Sequence, residues 1–208
     1  MTNPSPMQVP AKDQPLQCRC GQLKGAIARA ARLTRVSCYC RDCQAYAHAL
    51  GNPETVLDDL GGTDIVASLQ QHVTLTGNTE VLACLSLSKR GLLRWYAGCC
   101  NTPIANTTRD FRLSYVGLVH TCLGQSSSAL DVAFGPERIA VNTKHAKARV
   151  ASSRLRTITS MLSIFASVAR ARIDGTYRKS PFFNTANGNP VVVPRILSAS
   201  ERERARNS

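Results

Sequence analysis

Cys38-Tyr39-Cys40-Arg41-Asp42-Cys43 places three sulfurs within six residues, and Cys18-Arg19-Cys20-Gly21 places two more just upstream. These two stretches decide the reading of the chain. Thiolates this crowded repel one another unless a cation neutralises them. A soft, redox-inert ion that takes sulfur tetrahedrally, zinc above all, suits that need. A C-x-C pair on an extended strand presents both side chains on one face, so Cys18 and Cys20 form half of a site. C-x-C-x-x-C curls a strand end around one metal. Its three ligands leave a fourth position either open to water or substrate, as in catalytic zinc, or closed by another residue. Two zinc sites are therefore expected.

The remaining cysteines sharpen this. Cys99 and Cys100 stand together, while Cys84 and Cys122 are isolated and read as small buried hydrophobes. Nine cysteines is an odd number, and residues 1–15 are polar with no apolar segment resembling a secretory signal. A secreted disulfide framework is thus disfavoured and a cytoplasmic location is expected. No stretch approaches the ~20 apolar residues of a membrane-spanning helix. At 208 residues and 43% hydrophobic content, the chain can bury a working core.

Outward from the cysteines, short apolar runs bounded by turn residues predict a mainly β domain over residues 16–125. Leu16 to Ala28 reads as strand–turn–strand around Gly21 and Gly25, Thr34 to Cys40 as a strand, and Arg41 to Leu50 as a short helix stopped by Gly51-Asn52-Pro53. Ile65 to Leu69 reads as a strand. Val73 to Thr76 ends at Gly77-Asn78, a hairpin signal leading to Val81–Leu87. Leu92 to Tyr96 and Phe111 to Leu123 complete the strands. Residues 1–15 are expected to be a flexible tail, and Gln125-Ser126-Ser127-Ser128 a break before a C-terminal extension over 126–208. Within it, Leu155, Ile158, Leu162, Phe165 and Ala169 repeat at helical spacing, widened by Met161, Ile164 and Val168, and predict an amphipathic helix over about 152–173. The last residues, Glu201 to Arg206, read as an exposed helical turn or a frayed end.

With the cysteines placed, the sequence resembles the glutathione-dependent formaldehyde-activating enzyme family, whose fold centromere protein V shares. Cys18-Arg19-Cys20-Gly21 is similar to the family's C-x-C-G. Cys38-Tyr39-Cys40-Arg41-Asp42-Cys43-Gln44 is similar to its C-x-C-x-x-C and short helix. Trp95-Tyr96-Ala97-Gly98-Cys99-Cys100-Asn101-Thr102-Pro103 is similar to its aromatic-C-x-x-C-G-T-P block. The resemblance covers about residues 16–110 and implies a zinc-binding β-tent of Mss4-like type. It implies structural zinc ligands at Cys18, Cys20 and Cys100, and a second, more open zinc at Cys38, Cys40 and Cys43. Ala97 stands where the family has its first late cysteine, and Asn101 where it has glycine. Cys99 is the natural substitute, provided that a turn at Gly98 brings both late sulfurs inward.

Two functions follow as expectations. In the first, the triad is a catalytic zinc site that binds a small thiol such as glutathione and acts as a carbon–sulfur lyase on an adduct such as S-hydroxymethylglutathione. Asp42 and His48 lie beside it in sequence and could move protons or orient a ligand, but with no partner identifiable they read as solvated polar residues on a short helix, and Tyr46 reads as packing. In the second, both zincs are structural and the basic C-terminus contacts an anionic partner. The net charge of +13 bears on this: residues 144–208 carry 13 basic and three acidic residues, against 13 and ten before them. Specific nucleic-acid recognition is not expected, since no such motif is present and aromatic residues are only 5%. The oligomeric state is left open.

Overall fold

The computed structural model describes residues 13–28, 33–124, 127–136 and 138–207, with the side chains of 127–129 left aside. Of the N-terminal tail expected over 1–15, residues 1–12 lie outside this range, as do 125 and 126 of the expected break. In chain order the strands are β1 Gln14–Gln17, β2 Leu23–Ile27, β3 Thr34–Cys38, β4 Thr63–Leu69, β5 Val73–Gly77, β6 Leu82–Ser86, β7 Leu93–Ala97, β8 Thr102–Thr107, β9 Tyr115–Val119, β10 Arg138–Val141, β11 Phe183–Asn184, β12 Asn189–Pro190 and β13 Arg195–Ile196. The helices are α1 Arg41–Ala49, α2 Pro53–Val56, α3 Ser127–Phe134, α4 Arg154–Ile173 and α5 Ala199–Asn207. The fold is mainly β, with a C-terminal helix, as the short apolar runs indicate.

Eight strands form a mixed sheet in the order β10-β3-β4-β9-β8-β7-β6-β13, and β1-β2-β5 form a smaller antiparallel sheet. The central core lies between the two. Leu16, Leu23, Ile27 and Val73 from the small sheet meet Val66, Trp95, Ala105, Val116 and Leu118 from the large one. Because side chains alternate along each strand, the same strands furnish a second apolar face. There Val36, Cys38, Ile65 and Ala67 meet Met161 and Ile164 of α4, while Leu85 meets Tyr46 of α1 and Ala205 of α5.

Described residues after 125 enter this architecture at several points. Strand β10 pairs parallel with β3 and β13 parallel with β6, so they form both edges of the large sheet. Phe182 and Phe183 are buried against Trp95, with ring centroids 5.2 and 6.2 Å away. The composition break near 125 is therefore crossed by sheet and core alike. The last residues form neither an isolated turn nor a frayed end. Helix α5 starts in a capping box, in which Glu201 N–H donates to the Ser198 hydroxyl (3.2 Å) and Ser198 N–H donates to the Glu201 carboxylate (2.8 Å). It then docks on α1 through Ala205 and the Arg206–Asp42 ion pair.

Several local expectations are corrected. The β5–β6 hairpin does not form: β5 pairs with β2, and β6 with β7. Gly77 takes a left-handed φ of 72°, and the Asn78 side chain caps a short 3-10 turn at Thr79–Val81. The chain is thereby led from one sheet to the other. Gly25 lies within β2 rather than in a turn, and glycine is needed there because a methyl would run into the Thr74 carbonyl of β5. Strand β8 has no counterpart in the sequence reading, and β9 is shorter than the Phe111–Leu123 run. The stretch before β9 turns on Asp110, whose carboxylate accepts the Arg112 N–H at 3.0 Å.

The apolar face of α4 is also revised. Its core contacts come from Met161, Ile164, Val168 and Ala171, whereas Leu155, Ile158, Leu162 and Phe165 face outward. The sheet accepts only the stripe that meets Val36, Ile65 and Leu69. The other stripe lies roughly a third of a turn around the helix.

Candidate metal centres

Cys18 and Cys20 do not lie on a strand. They sit at the tip of the β1–β2 turn, which Gly21 N–H closes onto the Cys18 carbonyl at 2.9 Å. The second half of the site comes from the β7–β8 turn, where Gly98 N–H bonds the Val81 carbonyl (2.7 Å) and Cys100 N–H the Ala97 carbonyl (3.3 Å). Asn101 completes this turn with φ 54°. Asparagine tolerates the left-handed region better than other residues with a Cβ, which explains it at a glycine-like position. The turn brings Cys99 and Cys100 to the same side, as the substitution of Cys99 for the residue missing at Ala97 requires.

All four sulfurs, Cys18, Cys20, Cys99 and Cys100, lie within 4.8 Å of one another. Individual pairs are 3.6 Å (Cys18–Cys20), 3.9 Å (Cys18–Cys99), 3.2 Å (Cys20–Cys99) and 3.7 Å (Cys99–Cys100). Four thiolates about 2.3 Å from a tetrahedral ion stand about 3.8 Å apart, so the set fits a four-sulfur metal site. Backbone and side-chain donors already point at it. Leu23 N–H reaches the Cys18 sulfur at 3.3 Å, and the Thr102 hydroxyl lies 3.0 Å from the Cys100 sulfur. Against burial, which raises it, the Thr102 hydroxyl helps to bring Cys100 down to about 6.

The second group is Cys38 at the end of β3, Cys40 at the N-cap of α1 and Cys43 in its first turn, again with all sulfurs within 4.8 Å. The Cys40 sulfur caps the helix by accepting the Cys43 N–H at 3.3 Å. Cys38 and Cys43 are buried and Cys40 is half-buried. The neighbouring Cys40 and Cys43 thiols hold Cys38 far below the ordinary thiol range, and Cys43 is raised by Cys38 and Cys40.

Sequence reasoning passed over Arg94, the group that defines this site. It is 3% exposed, in the middle of β7, on the face opposite Trp95. Its guanidinium donates to the Cys43 sulfur at 3.8 Å and the Asn106 side-chain carbonyl at 3.1 Å, and stands 5.1 Å over the Tyr46 ring. Among the described residues no carboxylate pairs with it. A buried cation needs a counter-charge, and the triad sulfurs are the anions available. Against desolvation, the field of Cys43 keeps Arg94 protonated. On the other side Asn142, held at φ 54°, donates its amide to the Cys38 sulfur at 3.5 Å. An arginine interrupting the apolar run Leu92–Tyr96 was the available signal; Asn142 had none, since only the β10–β3 pairing brings it near.

The other candidates fall as follows. Asp42 is turned away into its ion pair with Arg206 at 2.7 Å. His48 lies at the far end of α1 from Cys40. Tyr46 is buried and donates its hydroxyl to the Trp95 carbonyl at 2.8 Å, a packing role. Burial pushes the Cys84 thiol up to about 12 and also raises Cys122, as suits small core residues. A cleft of about 620 Å³ opens on the core side of the large sheet, bordered by Cys18, Cys100 and Thr102 and, across it, by Asp64, Arg138 and His120. The His120 ring donates Nδ1–H to the Asp64 carbonyl at 3.2 Å, which leaves Nε2 as the ring's acceptor. The triad is not part of this cleft, since Cys38 belongs to the opposite sheet face.

A family model matches residues 10–193, nearly the whole described chain and both cysteine groups. The chain belongs to this family, DUF6151, a family of unknown function. The DUF6151 match runs past the composition break near 125 and takes in β10, α4 and the Phe182-Phe183 plug. No curated protein matches the chain. What this DUF6151 chain offers is two compact cysteine groups that could each hold a metal ion, one with four sulfurs and one with three.

Proposed function

We propose that this protein is a two-zinc protein of the glutathione-dependent formaldehyde-activating type, on a β-tent scaffold. The four-cysteine site is structural and the triad site takes a small thiol. The observation that carries this reading is Arg94, a buried cation whose nearest anions are the triad sulfurs. A three-thiolate site with a divalent ion has a net charge of −1, which one guanidinium neutralises. The donor set fits zinc: sulfur only, two compact groups, and no disulfide among the nine free cysteines.

Cys38, Cys40 and Cys43 would hold the second zinc, which supplies a Lewis-acid position and favours the thiolate form of a bound thiol at neutral pH. The chain's own groups tune that position. The N–H donors of Arg94 and Asn142 draw charge from the Cys43 and Cys38 sulfurs, which offsets the weak acidity of a three-thiolate site. Cys40 is half-buried while Cys38 and Cys43 are buried, so it is the most accessible of the three ligands. In the lyase reaction, the carbon–sulfur bond of an S-hydroxymethyl thiol breaks, the hydroxyl proton passes to sulfur, and formaldehyde leaves; addition is the reverse. Among the described residues no carboxylate or imidazole hydrogen-bonds a triad sulfur, so water is the proton carrier in this scheme.

The test is calorimetric titration of the zinc-loaded protein with glutathione, alongside metal analysis. Close to two zincs per chain and thiol binding that disappears in Cys40→Ser, with the fold retained, support the reading. One zinc or none sinks the two-site proposal. A Cys40→Ser variant that unfolds points to the other reading, a non-catalytic zinc-stabilised module that binds through its basic C-terminal residues. The outward stripe of α4 is the observation that favours this second reading.

A further inference from the structure

Helix α4 carries two apolar stripes, of which the fold uses one. On the unused side, Leu155 is 75% exposed, Ile158 56%, Leu162 62% and Phe165 62%. Their spacing of three, four and three residues lines them along one side of a helix that rises about 1.5 Å per residue. Ala169 and Ile173 continue the line to the C-terminal end, and Ile173 is 87% exposed. Four consecutive large side chains left open on one helix are more than the scattered exposure of an ordinary surface.

Charge selects the occupant. The helix contains no Asp or Glu, and Arg154, Arg156, Arg170 and Arg172 sit at its two ends. Between Lys144 and Ser180 there are nine basic residues and one acidic residue, a net +8 out of the chain's +13. A second copy of α4 would bring arginines against arginines at both ends, whether parallel or antiparallel. The complementary surface is instead anionic and apolar at once, with negative groups above an apolar layer. That is the chemistry of an anionic lipid leaflet.

We propose that α4 lies in the plane of an anionic membrane surface. Leu155, Ile158, Leu162 and Phe165 enter the acyl boundary, and the terminal arginines meet the lipid phosphates. The other stripe, Met161, Ile164, Val168 and Ala171, about a third of a turn away, stays docked on the sheet, so the domain binds as a folded unit. Since Met161 and Ile164 pack on the cluster that contains Cys38 and Cys43, the docked face is the one beside the triad. The proposal does not depend on what the triad binds.

The test is co-sedimentation of the full chain with vesicles of phosphatidylcholine, alone or with about one-third phosphatidylserine. The expected result is binding to the mixed vesicles, weakened by salt, and little to the neutral ones. L162E/F165E should lower the partition coefficient more than about 100-fold, through loss of two inserted side chains. R170Q/R172Q should lower it about 30-fold, at about 1 kcal/mol for each cation near the surface. Both variants change exposed positions and should keep the wild-type melting transition; if L162E/F165E does not, L155Q takes its place. V193E, at a side chain 89% exposed outside α4, should bind as wild type. Three results overturn the proposal: no binding to the mixed vesicles at low salt, full binding by L162E/F165E, or a wild-type dimer in sedimentation that L162E/F165E dissociates. The last would assign the stripe to a second copy.

Discussion

Replacing Arg94 by methionine separates the charge of the triad from its packing, because methionine keeps most of the volume and none of the charge. The guanidinium stands 3.8 Å from the Cys43 sulfur. At that separation a full negative charge on sulfur is worth about 4 kcal/mol in the effective dielectric of a protein site. Part of this is offset by the cost of holding the guanidinium out of water, which methionine removes. In the metal-free chain, with Cys38 lowered and Cys43 raised, not all three sulfurs are charged, and the attraction and the desolvation cost offset one another. With a divalent ion bound, all three sulfurs are thiolates and the attraction dominates. R94M should therefore leave metal-free stability unchanged or slightly higher, while lowering zinc affinity at the triad about 100- to 1,000-fold, or about 3–4 kcal/mol. The assay is competition for zinc against a chromophoric chelator, with thermal unfolding in the presence and absence of metal. An R94M variant that retains both zincs at wild-type affinity would falsify the charge argument. So would one that loses as much stability without metal as with it.

Other outcomes follow from the same geometry. Cys99→Ser should remove about one metal per chain by elemental analysis and lower the melting temperature, whereas Cys84→Ala should leave metal content unchanged, its thiol being buried and apart from both groups. Phe182→Ala removes a fully buried ring packed on Trp95 and should cost about 3–5 kcal/mol in denaturant unfolding, a loss that a dispensable extension would not show. Hydrogen bonds from Ser198 and the Arg195 guanidinium hold the Glu201 carboxyl at about 2, below its ordinary 4.5. Because the folded value is the lower one, the stabilisation of α5 is present above pH 4.5 and is lost as pH falls toward 2. The first-turn amides of α5 should fray over that window by NMR, and Glu201→Gln should fray them at neutral pH. Amides that do not respond would refute the capping role.

Much of this protein was legible in local chemistry. Sulfurs two and three residues apart cannot avoid one another, so Cys18-Arg19-Cys20 and Cys38-Tyr39-Cys40-Arg41-Asp42-Cys43 disclose their groupings without a fold. Short apolar runs between turn residues disclose a β domain, and the periodicity around Leu162 discloses a helix. Each of these depends on residues within a turn or two of one another.

The rest depended on which distant segments meet. That β5 joins β2 instead of β6 goes with a close backbone approach at Gly25, where even a methyl would strike the Thr74 carbonyl, and with a left-handed Gly77, and neither has a periodic signature. That the basic final third closes both edges of the sheet follows from parallel pairings across many intervening residues. Which stripe of α4 is buried was beyond periodicity, because both stripes are apolar and only the shape of the sheet distinguishes them. Arg94 and Asn142 reach the triad from β7 and from the end of β10. A charge balance of that kind exists only once separate strands share a face, because electrostatic pairing depends on distance in space and not on position along the chain.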